Sequence, residues 1–211
     1  MGPTMTGKTP RPVLLLVAGP AGSGKTTLCE RLVREERGVE RVVSATTRPV
    51  RPGETDGVHY HFFTEAQFDE RLARGEFLEW AKVHGRYRYG TLRGAVFGRL
   101  AAGVSVVAAI DVQGVRNVRR AAADDPELRA ALVTVFVMPE SLDQLRERLR
   151  GRGQDDAAEI ERRMGTAVEE MRAAPEFDHV IPSRTRDEDY AALRAIYAAG
   201  GSVTRANGNR E

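Results

Sequence analysis

Eight consecutive residues, Gly19-Pro20-Ala21-Gly22-Ser23-Gly24-Lys25-Thr26, match the pattern G-x-x-x-x-G-K-[ST] over its full length. Glycines at these positions let backbone N–H groups converge on one anion, and a helix opening directly after them adds the positive end of its dipole. The lysine reaches the β and γ phosphates of a nucleoside triphosphate, and the hydroxyl that follows it ligates Mg²⁺. A turn that merely started a helix would not need Lys25 and Thr26 together. The lysine also carries unusual weight, because Lys8, Lys25 and Lys82 are the only lysines among 32 basic residues. An arginine excess of that kind is what codon bias in a GC-rich genome produces, so arginine clusters count for less here.

A phosphate loop defines a donor site and leaves the acceptor open. Ser44-Ala-Thr-Thr-Arg48-Pro-Val-Arg51-Pro-Gly-Glu54, followed by Gly57-Val-His-Tyr60, sets two arginines and several hydroxyls beside two turns. Planar guanidinium forks and hydroxyls suit a phosphate monoester. Other reactive residue types lack a chemical pattern. His59, His61, His84 and His179 have no metal-ligand spacing with cysteines or carboxylates and read as surface or packing residues. Cys29 falls on an apolar helix face and reads as core, and Trp80 as packing.

These groups need a frame to hold them. Residues 13–17 (Val-Leu-Leu-Leu-Val) form an unbroken apolar run, the pattern of a strand buried on both faces of a parallel sheet. Beyond the glycine loop, Leu28, Cys29, Leu32 and Val33 share one helical face. The apolar runs at 104–110 and 132–138 predict two more core strands. Ser141 and Gln144 form a predicted capping box before Leu142, Leu145 and Leu149, and Ile160, Met164, Val168 and Met171 fit a further helix. Strands alternating with helices predict an α/β fold with a mainly parallel sheet flanked by helices. Residues 42–91 differ: short Val, Tyr and Phe runs broken by Pro52-Gly53 and Asp56-Gly57 predict a small β-rich insertion. Within it Thr64 and Gln67 cap a helix through Phe68 and Leu72 that Gly75 ends.

With 211 residues, the chain suits one domain with insertions over 11–199. A net charge of +2 demands neither nucleic acid nor an anionic membrane as partner. The single cysteine excludes an intrachain disulfide, and no apolar run approaches the roughly 20 residues of a membrane span. Residues 1–12 lack the apolar core of a signal peptide and read as a loose leader, residues 200–211 read as a flexible tail, and a reducing cytoplasm fits best.

Taken in order, these segments resemble the guanylate kinases, P-loop nucleoside monophosphate kinases, from about Val13 to Ala199. The resemblance rests on the phosphate loop, S-x-T-T-R-x-x-R-P-G-E and G-x-x-Y, then Phe77-Leu78-Glu79-Trp80-Ala81, Tyr89-Gly90-Thr91, Ile110-Asp111-Val-Gln113-Gly114 and Arg148-Leu-Arg-Gly151-Arg152-Gly153. It implies a core (11–44, 92–145 and 168–199), a GMP-binding insertion (45–91) and a helical lid (146–167). It implies that Gly19 through Thr27 bind ATP, and that Ser44, Arg48, Arg51, Tyr60 and Tyr89 hold the phosphate of GMP. Glu79, Thr91 and Asp111 would sit near its base or ribose, and Thr26 and Asp111 would hold Mg²⁺ directly or through water. Lys25, Arg48 and the lid positions Arg148, Arg152 and Arg163 would carry catalysis, since phosphoryl transfer needs positioning and charge neutralisation more than covalent chemistry. The implied partners are GMP (or dGMP) and ATP, with no nucleic acid or membrane, in a monomer or homodimer. Three departures stand out. Ala109 replaces an acidic residue two positions before Asp111, one extra residue separates His84 from Tyr89, and Pro182-Ser183 replaces a valine-asparagine stretch. They leave two other readings open: a divergent kinase for a modified guanine nucleotide or other phosphate monoester, and a non-enzymatic binding module, against which the intact Lys25-Thr26 argues.

Overall fold

The computed structural model describes residues 11–83, 86–151 and 157–200. Residues 1–10 of the expected leader, His84, Arg152 and the expected tail beyond Gly200 lie outside the described residues. The chain opens with β1 (Leu14–Ala18), α1 (Lys25–Glu35) and β2 (Val39–Arg41). A second group follows: β3 (Ala45–Thr46), β4 (His61–Phe62), α2 (Glu65–Ala73), β5 (Phe77–Val83) and β6 (Tyr87–Leu92). The remainder is α3 (Arg93–Ala101), β7 (Ser105–Ala109), α4 (Val112–Ala123), α5 (Pro126–Ala131), β8 (Leu132–Met138), α6 (Leu142–Gly151), α7 (Ala157–Arg172), β9 (His179–Pro182) and α8 (Arg186–Ala198).

Five strands form an all-parallel sheet in the order β2-β7-β1-β8-β9, so the phosphate-loop strand is central. Its unbroken apolar run follows from that place. Leu14, Leu16 and Ala18 face a core shared with Val96, Val112, Val115, Val118 and Phe136, whereas Val13, Leu15 and Val17 face Leu28, Leu32 and Leu193 on the other side. Truncating Leu16, which is 1% exposed, to alanine should cost about 2–5 kcal/mol through lost burial and the cavity left behind.

The predicted insertion is a separate four-stranded sheet, order β4-β3-β6-β5, in which β3–β4 is parallel and the other pairs are antiparallel. Thr64 and Gln67 form the full capping box of α2, and Gly75 turns the chain after it at φ 66°. Phe68 from this helix stacks on Phe77 with ring centroids 4.3 Å apart. A Cβ at Gly90 would lie 2.7 Å from that same Phe77 ring, so only glycine lets β6 lie flat beneath it. Leu78 of β5 packs into the core beside α4, Asn117 Nδ2 donates to the Trp80 carbonyl (2.7 Å), and Arg41 Nη2 donates to the carbonyls of Val58 (3.0 Å) and His59 (2.6 Å) ahead of β4.

At α6 half of the expected capping box forms. The Gln144 N–H donates to Ser141 Oγ (3.1 Å), but its side-chain amide turns to Glu140 Oε2 (3.1 Å) instead of the cap backbone. An acidic neighbour supplies a charged acceptor within reach of that amide, and charged acceptors make the stronger hydrogen bonds. Helices α6 and α7 pack through Leu145, Leu149, Ile160, Met164 and Ala167, with Ala21 of the glycine loop against them. No described helix is long and apolar enough to cross a membrane.

Candidate functional site

The glycine loop is shaped by close approach. Gly19 (φ 142°), Gly22 (φ 90°) and Gly24 (φ 96°) hold conformations that side chains resist. A Cβ on Gly19 would lie 2.5 Å from the Val137 carbonyl oxygen, and one on Gly22 would press on Leu145 at 3.1 Å. The loop is therefore held against β8 and α6, and its last residue, Gly24, is the N-cap of α1. Pro20 and Ser23 are buried, whereas Thr26 and Thr27 are exposed in the first turn of α1. Lys25 Nζ donates to the carbonyls of Gly19 (2.6 Å) and Pro20 (2.8 Å), which folds its ammonium back over the loop.

The smaller sheet supplies a facing wall of side chains. Arg48 is buried and engaged on every side: Nε donates to Tyr89 Oη (3.2 Å), Nη1 to the Pro49 carbonyl (2.7 Å) and Nη2 to both Glu54 oxygens (2.7 and 2.9 Å). Glu54 also accepts the Arg51 N–H (2.8 Å). Burial works against the Arg48 charge, but the bonds to Glu54 and Tyr89 outweigh it and hold its pKa above the ordinary arginine value. Burial likewise opposes ionisation of Glu54, and the bonds from Arg48 and Arg51 reverse that, leaving the carboxyl below its ordinary value. Tyr60 and Tyr89 meet edge to face at 5.8 Å, and burial raises the Tyr60 pKa.

Loop and wall enclose a cavity of about 260 Å³. Its lining brings together Ala21, Lys25 and Thr26 of the loop region with Ser44, Arg51, Tyr60 and Tyr89 of the wall. Glu79 and Asp111 complete it, along with Arg163 and Glu170 from α7. Glu79 is 7% exposed, and Thr91 Oγ1 donates to its Oε1 (2.8 Å). Burial pushes its pKa up to about 7; the Thr91 bond opposes that shift and the nearby Asp111 adds to it. Asp111 is fixed as the N-cap of α4, where Oδ1 accepts the Gly114 N–H (2.6 Å). Arg163 Nε donates to Glu159 (2.8 Å) one turn back on α7 while lining the cavity.

Of the expected site residues outside the glycine loop, Arg48, Thr91 and Arg148 do not line this cavity, Thr91 reaching it only through Glu79, and of the loop itself Ala21, Lys25 and Thr26 do. Arg48 sits behind Tyr60 and Tyr89 as a strut, and Arg148 donates to Ser183 Oγ (3.3 Å), which itself donates to buried Asp189 (2.8 Å). Ser183, from the divergent Pro182-Ser183 segment, thus anchors an arginine of α6. Sequence reasoning also passed over Glu170. It lies seven residues after Arg163, a spacing that returns to the same face of a helix, so a face-by-face reading of α7 could have found it. Burial pushes Glu170 up to about 7, against the attraction of Lys25.

Among the other reactive types, Cys29 is buried in the core, and desolvation pushes its thiol up to about 12. His59 Nδ1 accepts the Thr55 N–H (2.9 Å), and His61 stacks on Phe63 at 6.1 Å. Trp80 is 37% exposed and meets Phe68 edge to face at 6.3 Å, directed away from the cavity that its neighbours Glu79 and Ala81 line. Among the described residues no group of three or more His, Cys, Asp or Glu side chains could cage a metal. The cavity's hydroxyl and carboxylate, Thr26 and Asp111, do fit Mg²⁺, a hard cation that keeps much of its water and shares one or two carboxylates with substrate phosphates.

Residues 10–199 match the family model described as guanylate kinase. The guanylate kinase of Symbiobacterium thermophilum is 42% identical over 199 residues, covering 94% of this chain and 90% of that protein. That of Bifidobacterium longum is 45% identical over 194 residues, covering 92% and 97%. The crystal structure of guanylate kinase from Anaplasma phagocytophilum superposes with a TM-score of 0.72 at 27% identity, covering 93% of this chain and 89% of that one. With a family model spanning nearly all of the described chain and relatives of this identity along most of its length, the chain belongs to the guanylate kinase family.

Proposed function

We propose that this protein transfers the γ-phosphoryl group of ATP to GMP, and to dGMP, giving ADP and the corresponding diphosphate. One observation carries the reading: a single cavity sets a phosphate-loop lysine and threonine opposite two tyrosines, an arginine and a buried carboxylate. The attacking atom is an oxygen of the acceptor's own phosphate. That group is largely dianionic at neutral pH, its second pKa being near 6, so no side chain has to remove a proton. A bond forms from this oxygen to the γ phosphorus while the bond to the β–γ bridging oxygen breaks. Charge spreads over the transferring group, and Lys25, the loop N–H groups and Arg163 neutralise it. Thr26 and Asp111 would hold Mg²⁺ directly or through water, and the ion would supply further positive charge to the phosphates.

Ser44, Arg51, Tyr60 and Tyr89 bind the acceptor phosphate in this reading, and Arg48 keeps them in order through Tyr89 and Glu54. An ionised Glu79 accepts hydrogen bonds from guanine N1–H and N2–H, whereas adenine offers an acceptor at N1. Residues 45–91 form the acceptor-binding insertion. Residues 146–167 form a lid that brings Arg148 and Arg152 toward the ATP phosphates and excludes water, which would otherwise accept the phosphoryl group. A cytoplasmic setting belongs to the same proposal, in keeping with the free Cys29 thiol.

A second reading has its own support. Ala109 lines both this cavity and a neighbouring one of about 450 Å³, which leaves room for a bulkier guanine nucleotide. A coupled ADP-release assay across GMP, dGMP, IMP, AMP, CMP and UMP tests the choice. GMP should give the highest kcat/KM; negligible turnover with all six would overturn the first reading in favour of the second.

A further inference from the structure

The phosphoryl-transfer reading leaves Glu170 without a task, and the surroundings of Ala109 suggest one. Strand β7 is the parallel neighbour of β1, with Val17 opposite Ala109, so β7 ends beside the phosphate loop. In P-loop enzymes that place commonly bears an aspartate that meets the metal. Here it bears a methyl group. Across the same cavity α7 presents Glu170 toward the region lined by Lys25, Thr26, Ala109 and Asp111. Among the described residues no hydrogen-bond donor reaches its partly buried carboxylate. A carboxylate taken out of bulk water normally acquires a donor or a cation.

We infer that Glu170 is a positioning residue for the metal, its carboxylate accepting hydrogen bonds from the water shell of a divalent cation held at Thr26 and the nucleotide phosphates. It takes over from helix α7 the service that a strand-end carboxylate at position 109 would give. Arg163 lines the same cavity from the same helix, so α7 brings a cation for the phosphates and an anion for the metal's water. The inference rests on the phosphoryl-transfer reading but not on which acceptor is used.

The test therefore omits the acceptor. Mn²⁺ binding to the protein with a saturating non-hydrolysable ATP analogue, followed by electron paramagnetic resonance, is compared for wild type, Glu170→Gln, Ala109→Asp and the double variant. Glu170→Gln should weaken Mn²⁺ binding by about tenfold, the lower end of the loss usual for a group that orients a metal's ligands. Ala109→Asp should restore it in the Glu170→Gln background and add less in the wild type, because either carboxylate serves the same water. Affinity for the analogue in the presence of EDTA should stay within about twofold, as expected if the lost term involves the metal alone. Unchanged Mn²⁺ affinity would overturn the inference. So would an equal loss of nucleotide affinity with EDTA, which would place Glu170 in the service of Lys25. Ala109→Asp in the wild type keeps the question decidable should Glu170→Gln fail to fold: a tenfold gain there would show that Glu170 was not already supplying the carboxylate.

Discussion

The two walls of the cavity are made of different materials. The donor side is backbone: Gly19, Gly22 and Gly24 share one short loop and carry positive φ, and Gly19 and Gly22 are pressed against Val137 and Leu145, a shape suited to lining a phosphate with N–H groups. The acceptor side is side chains drawn from distant segments and already paired with one another, Arg48 with Glu54 and Tyr89, and Glu79 with Thr91. A backbone cradle recognises any polyphosphate, because every residue but proline offers the same N–H. A buried carboxylate has one pattern of donors it can satisfy. The donor side should therefore set the rate for every acceptor, and the acceptor side should set which acceptor is used.

Mutations can break that division. The largest effect is expected at Glu79, where alanine removes the buried acceptor pair. Steady-state kinetics should show the GMP over AMP preference falling by up to about 10⁴, the discrimination that sites built on buried hydrogen bonds reach. Lys25→Ala should come next, lowering kcat by about 10²–10³ with each acceptor while the melting temperature barely moves, because one electrostatic group aimed at the transition state is lost and no packing is. The smallest effect sharpens the comparison through stability. Burial holds the folded-state pKa of Glu79 near 7, above the value of 4.5 for an unperturbed glutamate. The folded chain thus keeps a proton that the unfolded chain releases. Stability from this group is complete below about pH 4.5 and is lost as pH rises through 7, by roughly 3 kcal/mol. Denaturant unfolding of Glu79→Gln at several pH values should show this slope flattened; a wild-type slope in the mutant would place the titration elsewhere.

Much of the donor side was legible in the sequence because it is local. A single eight-residue motif lies between an unbroken apolar run and an amphipathic helix, and strand, loop and helix followed as expected. The smaller sheet was legible as β-rich through its turn signals, but not in its order, since β3 and β4 are two residues each and pair through tertiary contacts. Strands β2 and β9, at three and four residues, are too short for periodicity to show. At the site, the resemblance pointed to Glu79 and Asp111. It did not show that Arg48 is consumed by Glu54, Tyr89 and Pro49, because pairing between side chains depends on how they pack. Glu170 was hidden among the other acids of α7, and only the cavity distinguishes it from exposed Glu161 and Glu169. The capping box of α8, Thr185 with Glu188, was open to reading and was passed over.

The division of labour itself is tested most directly by one ratio, kcat/KM for GMP over kcat/KM for AMP, measured in wild type, Lys25→Ala and Glu79→Ala. The account predicts that Lys25→Ala lowers both values together and leaves the ratio unchanged, whereas Glu79→Ala collapses the ratio by orders of magnitude. A ratio that shifts with Lys25→Ala, or survives Glu79→Ala, would contradict it.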